Sequence, residues 1–239
     1  MLNSLITTKN KNIIDILRVM QICDSNFPIG SFNHSYGMET YLRNNEISNG
    51  KEFRIWLKAF LNNVFIYSDG LGLRMLYSYL NNNEENKIYE LDRLLTVQCI
   101  SKETRDGSKL IAMRMIKMLL DLYECERLRE YESKIKNKEV FGHPAVVFGI
   151  MMHNLNFNSE EAINFHMYST VSTLIQNGVR AIPLGQKDGM MILKESCEMF
   201  DKLYEKINSM DEECFGGSSP GIELSQINHE TLEFRLFMS

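Results

Sequence analysis

The sequence predicts an all-α protein, a single-domain bundle of many helices. Apolar residues recur with a period near 3.6 in almost every long segment, as the core-facing stripe of a helix requires. No run alternates apolar and polar residues between turn signals, as a half-buried strand would. No stretch repeats at a fixed period, which sets solenoids aside.

The elements follow in order. Residues 24–42, DSNFPIGSFNHSYGMETYL, turn sharply where Pro28 fixes φ and Gly30 permits a positive one, and then enter a helix carrying Tyr36, Glu39 and Tyr41. Ser48, Asn49 and Gly50 supply turn and capping chemistry for a helix whose stripe is Phe53, Trp56, Leu57, Phe60, Leu61, Val64 and Phe65. The polar run NNNEEN at 81–86 is a loop; Ile88, Leu91, Leu94, Leu95 and Cys99 form the next stripe, and Leu110, Met113, Ile116 and Leu120 another. The charged stretch 124–139 reads as a solvated helix or connector. A long helix over 159–179 opens with Ser159 as N-cap, and Glu160 and Glu161 suit the positive end of its dipole. Leu193, Cys197, Phe200, Leu203 and Ile207 make the last long stripe. The expected core includes Trp56, Phe60, Val64, Leu94, Val171 and Leu174.

Two units are expected, a helical body over 1–214 and a linker with a tail over 215–239. FGGSSPG at 215–221 has a flexible linker's composition, yet the tail beyond it carries Leu232, Phe234, Leu236 and Phe237. Burying such side chains removes apolar area from water at about 25 cal/mol per Å². The tail therefore needs a surface, this chain's or a partner's.

Composition narrows the function. An apolar share of 44% is ample for a core, and a net charge of −5 argues against a nucleic-acid partner. The longest uncharged apolar run, AVVFGIMM, is far short of the roughly 20 residues of a membrane span, and MLNSLITTKNKNIID lacks the apolar centre of a secretion signal. Five cysteines with no Cys-x-x-Cys pair point to reduced thiols, hence to a cytoplasmic protein that makes no membrane contact.

No chemical constellation emerges. His34, His143, His153, His166 and His229 include no pair at the i, i+4 spacing of a helical metal site, so structural or capping roles are expected, with no metal site. RDGSKL at 105–110 lacks the earlier glycine of a phosphate loop, and DGLGLR at 69–74 has only two glycines of a dinucleotide fingerprint. Ser31, Ser35 and Cys23 lie near His34 in sequence, but a nucleophile needs its base adjacent in space and a third group orienting it. No catalytic residue is expected.

Two stretches exceed what packing requires: 24–42, and the elbow VRAIPLGQKDG at 179–189. Pro183 pushes Ile182 toward extended geometry and ends a helix, Gly185 and Gly189 admit close backbone approach, and Arg180 and Gln186 offer planar, multi-donor side chains. The elbow is either a structural turn whose Arg and Gln cap helix ends or a rigid recognition surface for another protein.

Three motifs resemble the UreF family of urease accessory proteins. They are Pro-x-Gly-x-Phe/Tyr-x-x-Ser-x-Gly-x-Glu at 28–39, Arg-x-x-Pro-Leu-Gly-Gln at 180–186, and His-Glu-x-x-x-x-Arg-Leu-Phe-x-Ser at 229–239. KETRDGSKL at 102–110 is similar to a further family segment, with Lys102 where arginine is usual. Lys187, Asp188, Gly189 and Met190 depart from the family's continuation of the elbow, and Met238 stands where arginine is frequent. The resemblance spans residues 13–239 and implies an all-α fold, often a homodimer, and a non-enzymatic scaffold in urease maturation by nickel insertion. The implied partners are a UreD/UreH-type accessory protein, a UreG-type GTPase and apo-urease. No resident cofactor is implied, nickel being handled by the assembled complex. The alternative is a regulator that activates the GTPase, and a remoter one an independent hydrolase or nickel enzyme. The partner-binding residues implied are Tyr36, Glu39, Arg180, Pro183, Leu184, Gly185, Gln186, Lys187, His229, Glu230, Arg235, Leu236 and Phe237.

Overall fold

The structure, a computed structural model, describes residues 12–239. The first part of the expected body, residues 1–11, lies outside the described residues, as does most of the stretch read for a secretion signal. Among the described residues the chain is helical, without a strand: α1 (Ile13–Cys23), α2 (Met38–Arg43), α3 (Gly50–Asn63), α4 (Asp69–Asn82), α5 (Glu85–Val97), α6 (Lys102–Leu122), α7 (Glu126–Lys136), α8 (Pro144–Asn154), α9 (Ser159–Ala181), α10 (Gln186–Cys197), α11 (Phe200–Ser209) and α12 (Pro220–His229). None is long and apolar enough to cross a membrane.

The centre is built on α8, in which every residue from Ala145 to Met152 is buried. A helix apolar on all sides must be enclosed, and α4, α6, α7 and α9 pack around it. Gly149 sets the closest approach, since a Cβ there would lie 2.5 Å from Leu76 Cδ2 of α4. Pro144 opens α8 in the first turn, where its missing N–H costs nothing, and the His143 side chain accepts from the Ala145 N–H. Asp92 of α5, fully buried, accepts from the N–H groups of Phe141 and Gly142 and from the Tyr131 hydroxyl, tying α5 and α7 to the segment leading into α8.

Four expectations are corrected. The N-cap of α9 is Asn158, in a reciprocal capping box with Glu161, so Ser159 is the first helical residue. On α5, Ile88, Leu91 and Leu95 face the core and Leu94 sits half-buried on the flank; Val64, at the end of α3, is also half-buried. On α6 the buried face is Ile111, Ala112, Met115, Ile116 and Leu119, one step round from the expected stripe, and Leu110 is exposed. The last stripe is split between α10 and α11. Trp56, Phe60, Val171 and Leu174 are buried as expected, and α7 turns Leu128 and Tyr131 inward from an otherwise polar stretch.

The stretch 215–221 runs along the body rather than hanging free. The Gly216 N–H donates to Tyr67 O at 2.9 Å, a Cβ on Gly217 would lie 2.9 Å from the Tyr67 ring, and Pro220 starts α12. Helix α12 packs on α2 and α6.

Candidate functional site

The turn read from residues 24–42 builds a seat for α12 and the residues after it. Tyr36 and Gly37 both take positive φ (53° and 89°), which swings the chain into α2. Gly37 could be no other residue, because a Cβ there would meet Ser225 Oγ at 2.3 Å and Ile222 O at 3.2 Å, both on α12. The Thr40 hydroxyl donates to Ser225 O at 2.6 Å and the Gln226 amide to Tyr36 O at 3.4 Å, fixing α12 across α2.

Beyond α12 the chain folds back into a polar clasp. His229 is wholly buried between two carboxylates: its Nε2 lies 3.0 Å from Glu39 Oε2 on α2, and its Nδ1 3.0 Å from Glu103 Oε2 on α6. An ionised carboxylate only accepts, so both contacts are hydrogen bonds together only for the doubly protonated ring. Glu39 also accepts from the Leu236 N–H (2.6 Å), the Phe237 N–H (3.0 Å) and Arg43 (3.2 Å). Burial pushes the Glu39 carboxyl up, but the Leu236 N–H, His229 and the Phe237 N–H together outweigh it and hold it below the usual range. Glu103 is held low in the same way, by His229 and by Arg235, whose Nη1 donates to Glu103 Oε1 at 2.6 Å. The Glu230 carboxylate accepts from the Glu103 N–H at 3.4 Å, at the electropositive start of α6.

The last residues are tied to the first turn. The Met238 N–H donates to Asn33 O (2.7 Å), the Ser35 N–H to Ser239 O (2.5 Å), and His34 Nδ1 lies 2.6 Å from Ser239 Oγ. Asn177 of α9 donates to His34 O at 2.9 Å. Gly107 lets α6 press on the His34 ring, since a Cβ there would stand 2.4 Å from His34 Cε1. Burial, then the charges of Arg114 and His229, hold the His34 imidazole down to about 4.

The elbow forms as its sequence requires. Helix α9 ends at Ala181, Ile182 is extended (φ −117°, ψ 152°) before Pro183, and Gly185 caps α10. Gly185 has ordinary φ and only an ordinary contact, Asp188 Oδ2 3.5 Å from where its Cβ would be. Of the two, only Gly189 serves close approach, with Ile175 and Val179 of α9 just over 3 Å away. Arg180 neither caps a helix nor stands free. Its Nη1 donates to Phe32 O at 3.0 Å, and the guanidinium lies 5.9 Å from the Phe32 ring centre and 5.3 Å from that of Phe237. The elbow and the tail thus share a clamp. They also share a notch of about 300 Å³, walled by Leu42, Arg43, Ile47, Ile182, Pro183 and Leu236.

Glu39, Arg180, Pro183, His229, Glu230, Arg235, Leu236 and Phe237 come together here. Gln186 and Lys187 stand apart, exposed on the first turn of α10. Tyr36 and Leu184 point inward, Tyr36 against Phe60 and Leu184 over Gly50. Glu103, Arg43 and Asn177 belong to the site without having been singled out, and His34 and Ser239, noted in the sequence for other reasons, join it. The only signal for Glu103 was its place in the segment 102–110, and nothing in local spacing pairs it with His229, 126 positions away. Of the other histidines, His143 caps α8, His166 lies 2.8 Å from Asp69, and His153 lies 3.2 Å from Asn81. Among the described residues no group of three or more His, Cys, Asp or Glu is placed to hold a metal ion; the two nitrogens of His229 point to opposite carboxylates rather than to a common centre.

Fold and site together define an all-α protein, a helical body in which a buried polar network on α2 and α6 holds the arm after α12. The UreF family profile matches residues 47–197. The urease accessory protein UreF of Streptococcus salivarius is 42% identical over 230 residues, covering 96% of this chain and 97% of that one. Its counterpart in Streptococcus thermophilus is 41% identical over the same shares, and that of Lachnoclostridium phytofermentans 38% identical over 94% of this chain and 98% of its own. The chain belongs to the UreF family of urease accessory proteins, and it is not an enzyme.

Proposed function

We propose that this chain is a non-enzymatic scaffold for the maturation of urease by nickel insertion, acting in the cytoplasm with a UreD/UreH-type accessory protein and a UreG-type GTPase on apo-urease. Residues 215–239 are the docking unit and the rest of the chain, often paired with a second copy, is the body. The chain holds no resident cofactor, and nickel is cargo of the assembled complex. The observation that carries this reading is the composition of the clasped arm. The clasp fixes its backbone while Phe234, 77% exposed, and Met238 remain outward and Leu236 borders the notch at Pro183. Apolar side chains held at the surface on a fixed backbone lose little entropy on binding, which favours a docking role. Co-purification with the two accessory partners, followed by urease activation, tests it. Phe234→Glu with Leu236→Glu is expected to abolish both; an intact complex and full activation would overturn the docking role.

A regulatory role toward the GTPase has one observation in its favour, the exposed cation Lys187 at the elbow. Arg180 is committed to Phe32 and Phe237 and is a poor candidate for an arginine finger. GTP turnover by the partner with the parent chain and with Lys187→Ala separates this reading from a pure scaffold.

A further inference from the structure

Beneath Gly216, Gly217 and Ile222, where the first turns of α4 and α8 meet α9, the body holds a chamber of about 160 Å³. None of Glu39, Glu103 and His229 reaches it. Two buried histidines and a carboxylate line it instead. His143 is 9% exposed, and its Nδ1 accepts from the Ala145 N–H at 3.3 Å. Burial holds its imidazole below the usual value, against the opposing charges of Asp69 and Asp92, so the ring is neutral with its one proton on Nε2. That N–H has no partner in the protein and is not closed off by neighbouring atoms, so it is aimed into the chamber. Asp69 opens α4, and the 27% of its side chain left accessible lines the same chamber. Its Oδ2 accepts from His166 Nε2 at 2.8 Å, while Oδ1 has no partner. Burial pushes the Asp69 carboxyl up, but the His166 hydrogen bond and the nearby imidazoles outweigh it, so the group is ionised and only accepts.

We propose that this chamber binds a small neutral carboxamide or urea-type molecule, its N–H groups on Asp69 and its carbonyl oxygen on His143 Nε2. The lining selects by elimination. Its carboxylates are Asp69 and Glu223, with no lysine or arginine, so an anion would be buried without a counter-charge. A cation built only of donors would satisfy Asp69 but turn positive charge toward the His143 N–H. A neutral molecule with N–H groups on one side and a carbonyl oxygen on the other satisfies both. The rings of Tyr36, Phe60 and Phe65 supply apolar walls suited to a planar group, and a few placed polar groups among such walls are the usual make-up of a small-molecule site. The volume limits the occupant to a few heavy atoms, since one water takes about 30 Å³ in the liquid.

The test is ligand-detected NMR of the full chain with acetamide, and with formamide and urea as competitors. Acetamide is expected to saturate the site in the roughly millimolar range, the strength that so few atoms allow. Two isosteres read the two poles separately: acetate lacks the N–H groups, and guanidinium lacks the carbonyl oxygen. Each is expected to bind at least about tenfold more weakly, because each leaves a buried group unpaired. Ser108→Leu, at a half-buried position on the chamber wall, is expected to abolish binding, and Asp69→Asn to weaken it about tenfold. Circular dichroism checks that both variants are folded, and the isosteres test the parent chain whatever the variants do. If acetate or guanidinium competes as well as urea, or if Ser108→Leu binds like the parent, the proposal is overturned. Absence of saturation up to about 50 mM acetamide would overturn it too, and leave the chamber holding water alone.

Discussion

Replacing His229 by alanine tests the clasp where it is most buried. The change removes the group between Glu39, whose side chain is 2% exposed, and Glu103. Leaving a buried acceptor without its partner costs about 1–3 kcal/mol, more for a charged group such as a carboxylate. Two carboxylates lose a partner while Glu39 keeps the Leu236 and Phe237 N–H groups and Arg43, so the loss is set at about 3 kcal/mol. The cost falls on an arm at the end of the chain, so it is expected as local opening rather than global unfolding. At about 1.4 kcal/mol per factor of ten, amide exchange at Leu236 and Phe237 accelerates roughly a hundredfold. Exchange in the enclosed helix α8 stays at parent rates. Hydrogen exchange resolved by residue measures both. Glu39→Ala is expected to open the same arm, and the double variant to cost clearly less than the two single losses added, because the residues share one interaction. If Leu236 and Phe237 keep parent protection in His229→Ala, the clasp does not hold the arm and the reasoning fails.

Further expectations follow from the same contacts. Arg180→Ala removes one hydrogen bond and two ring contacts at a solvent-facing position; the expected loss is about 1–2 kcal/mol, seen in urea melts and as faster exchange at Phe237. Acid should loosen the arm from two directions. His34, at an ordinary 6.5 when unfolded, is held down to about 4 in the fold, so its contribution is complete above about 6.5 and lost as pH falls through about 4. Glu39 and Glu103, held below the usual carboxylate range, likewise contribute above that range and lose their contribution as it is crossed downward. Melts between pH 7 and 4 measure the slope, and His34→Asn should flatten it. Gln186→Ala and Lys187→Ala, exposed on the first turn of α10, are expected to shift stability by no more than about 0.5 kcal/mol while lowering urease activation; unchanged activation would leave the elbow a structural turn.

Local sterics were legible in the sequence; distant partners were not. Pro183 ends α9 because of its own ring and the residue before it, and that information lies within a few positions. The N-cap of α9 was misplaced by one because Asn158 and Ser159 are both good caps, and only the reach of Glu161 back to the Asn158 N–H separates them. The face of α5 was ambiguous for a related reason: Leu94 and Leu95 are adjacent and equally apolar, and the packing of α4 decides which is buried. The arm was visible as apolar and in need of a surface, but not that the surface was its own chain. That required knowing that Glu39 and Glu103 converge on His229, a fact of tertiary geometry carried by no local spacing. Arg180 illustrates the middle case, since its planar donors were readable and their acceptor, Phe32 O, was not.

The bond between His34 and Ser239 joins residues 205 positions apart, and the Glu39 contacts to the arm span nearly as far. A ribosome adding about 5–20 residues per second needs roughly 10–40 s to cover that interval. Throughout it the first turn and α2 exist without the groups that complete them: a carboxylate awaits its imidazole, and the backbone at Asn33 and Ser35 awaits Met238 and Ser239. The seat is thus filled after the helices between are made, by residues 229–239. A chain stopped before His229 would have its helical body but no imidazole between Glu39 and Glu103, and Glu39 would lack the backbone N–H groups of Leu236 and Phe237.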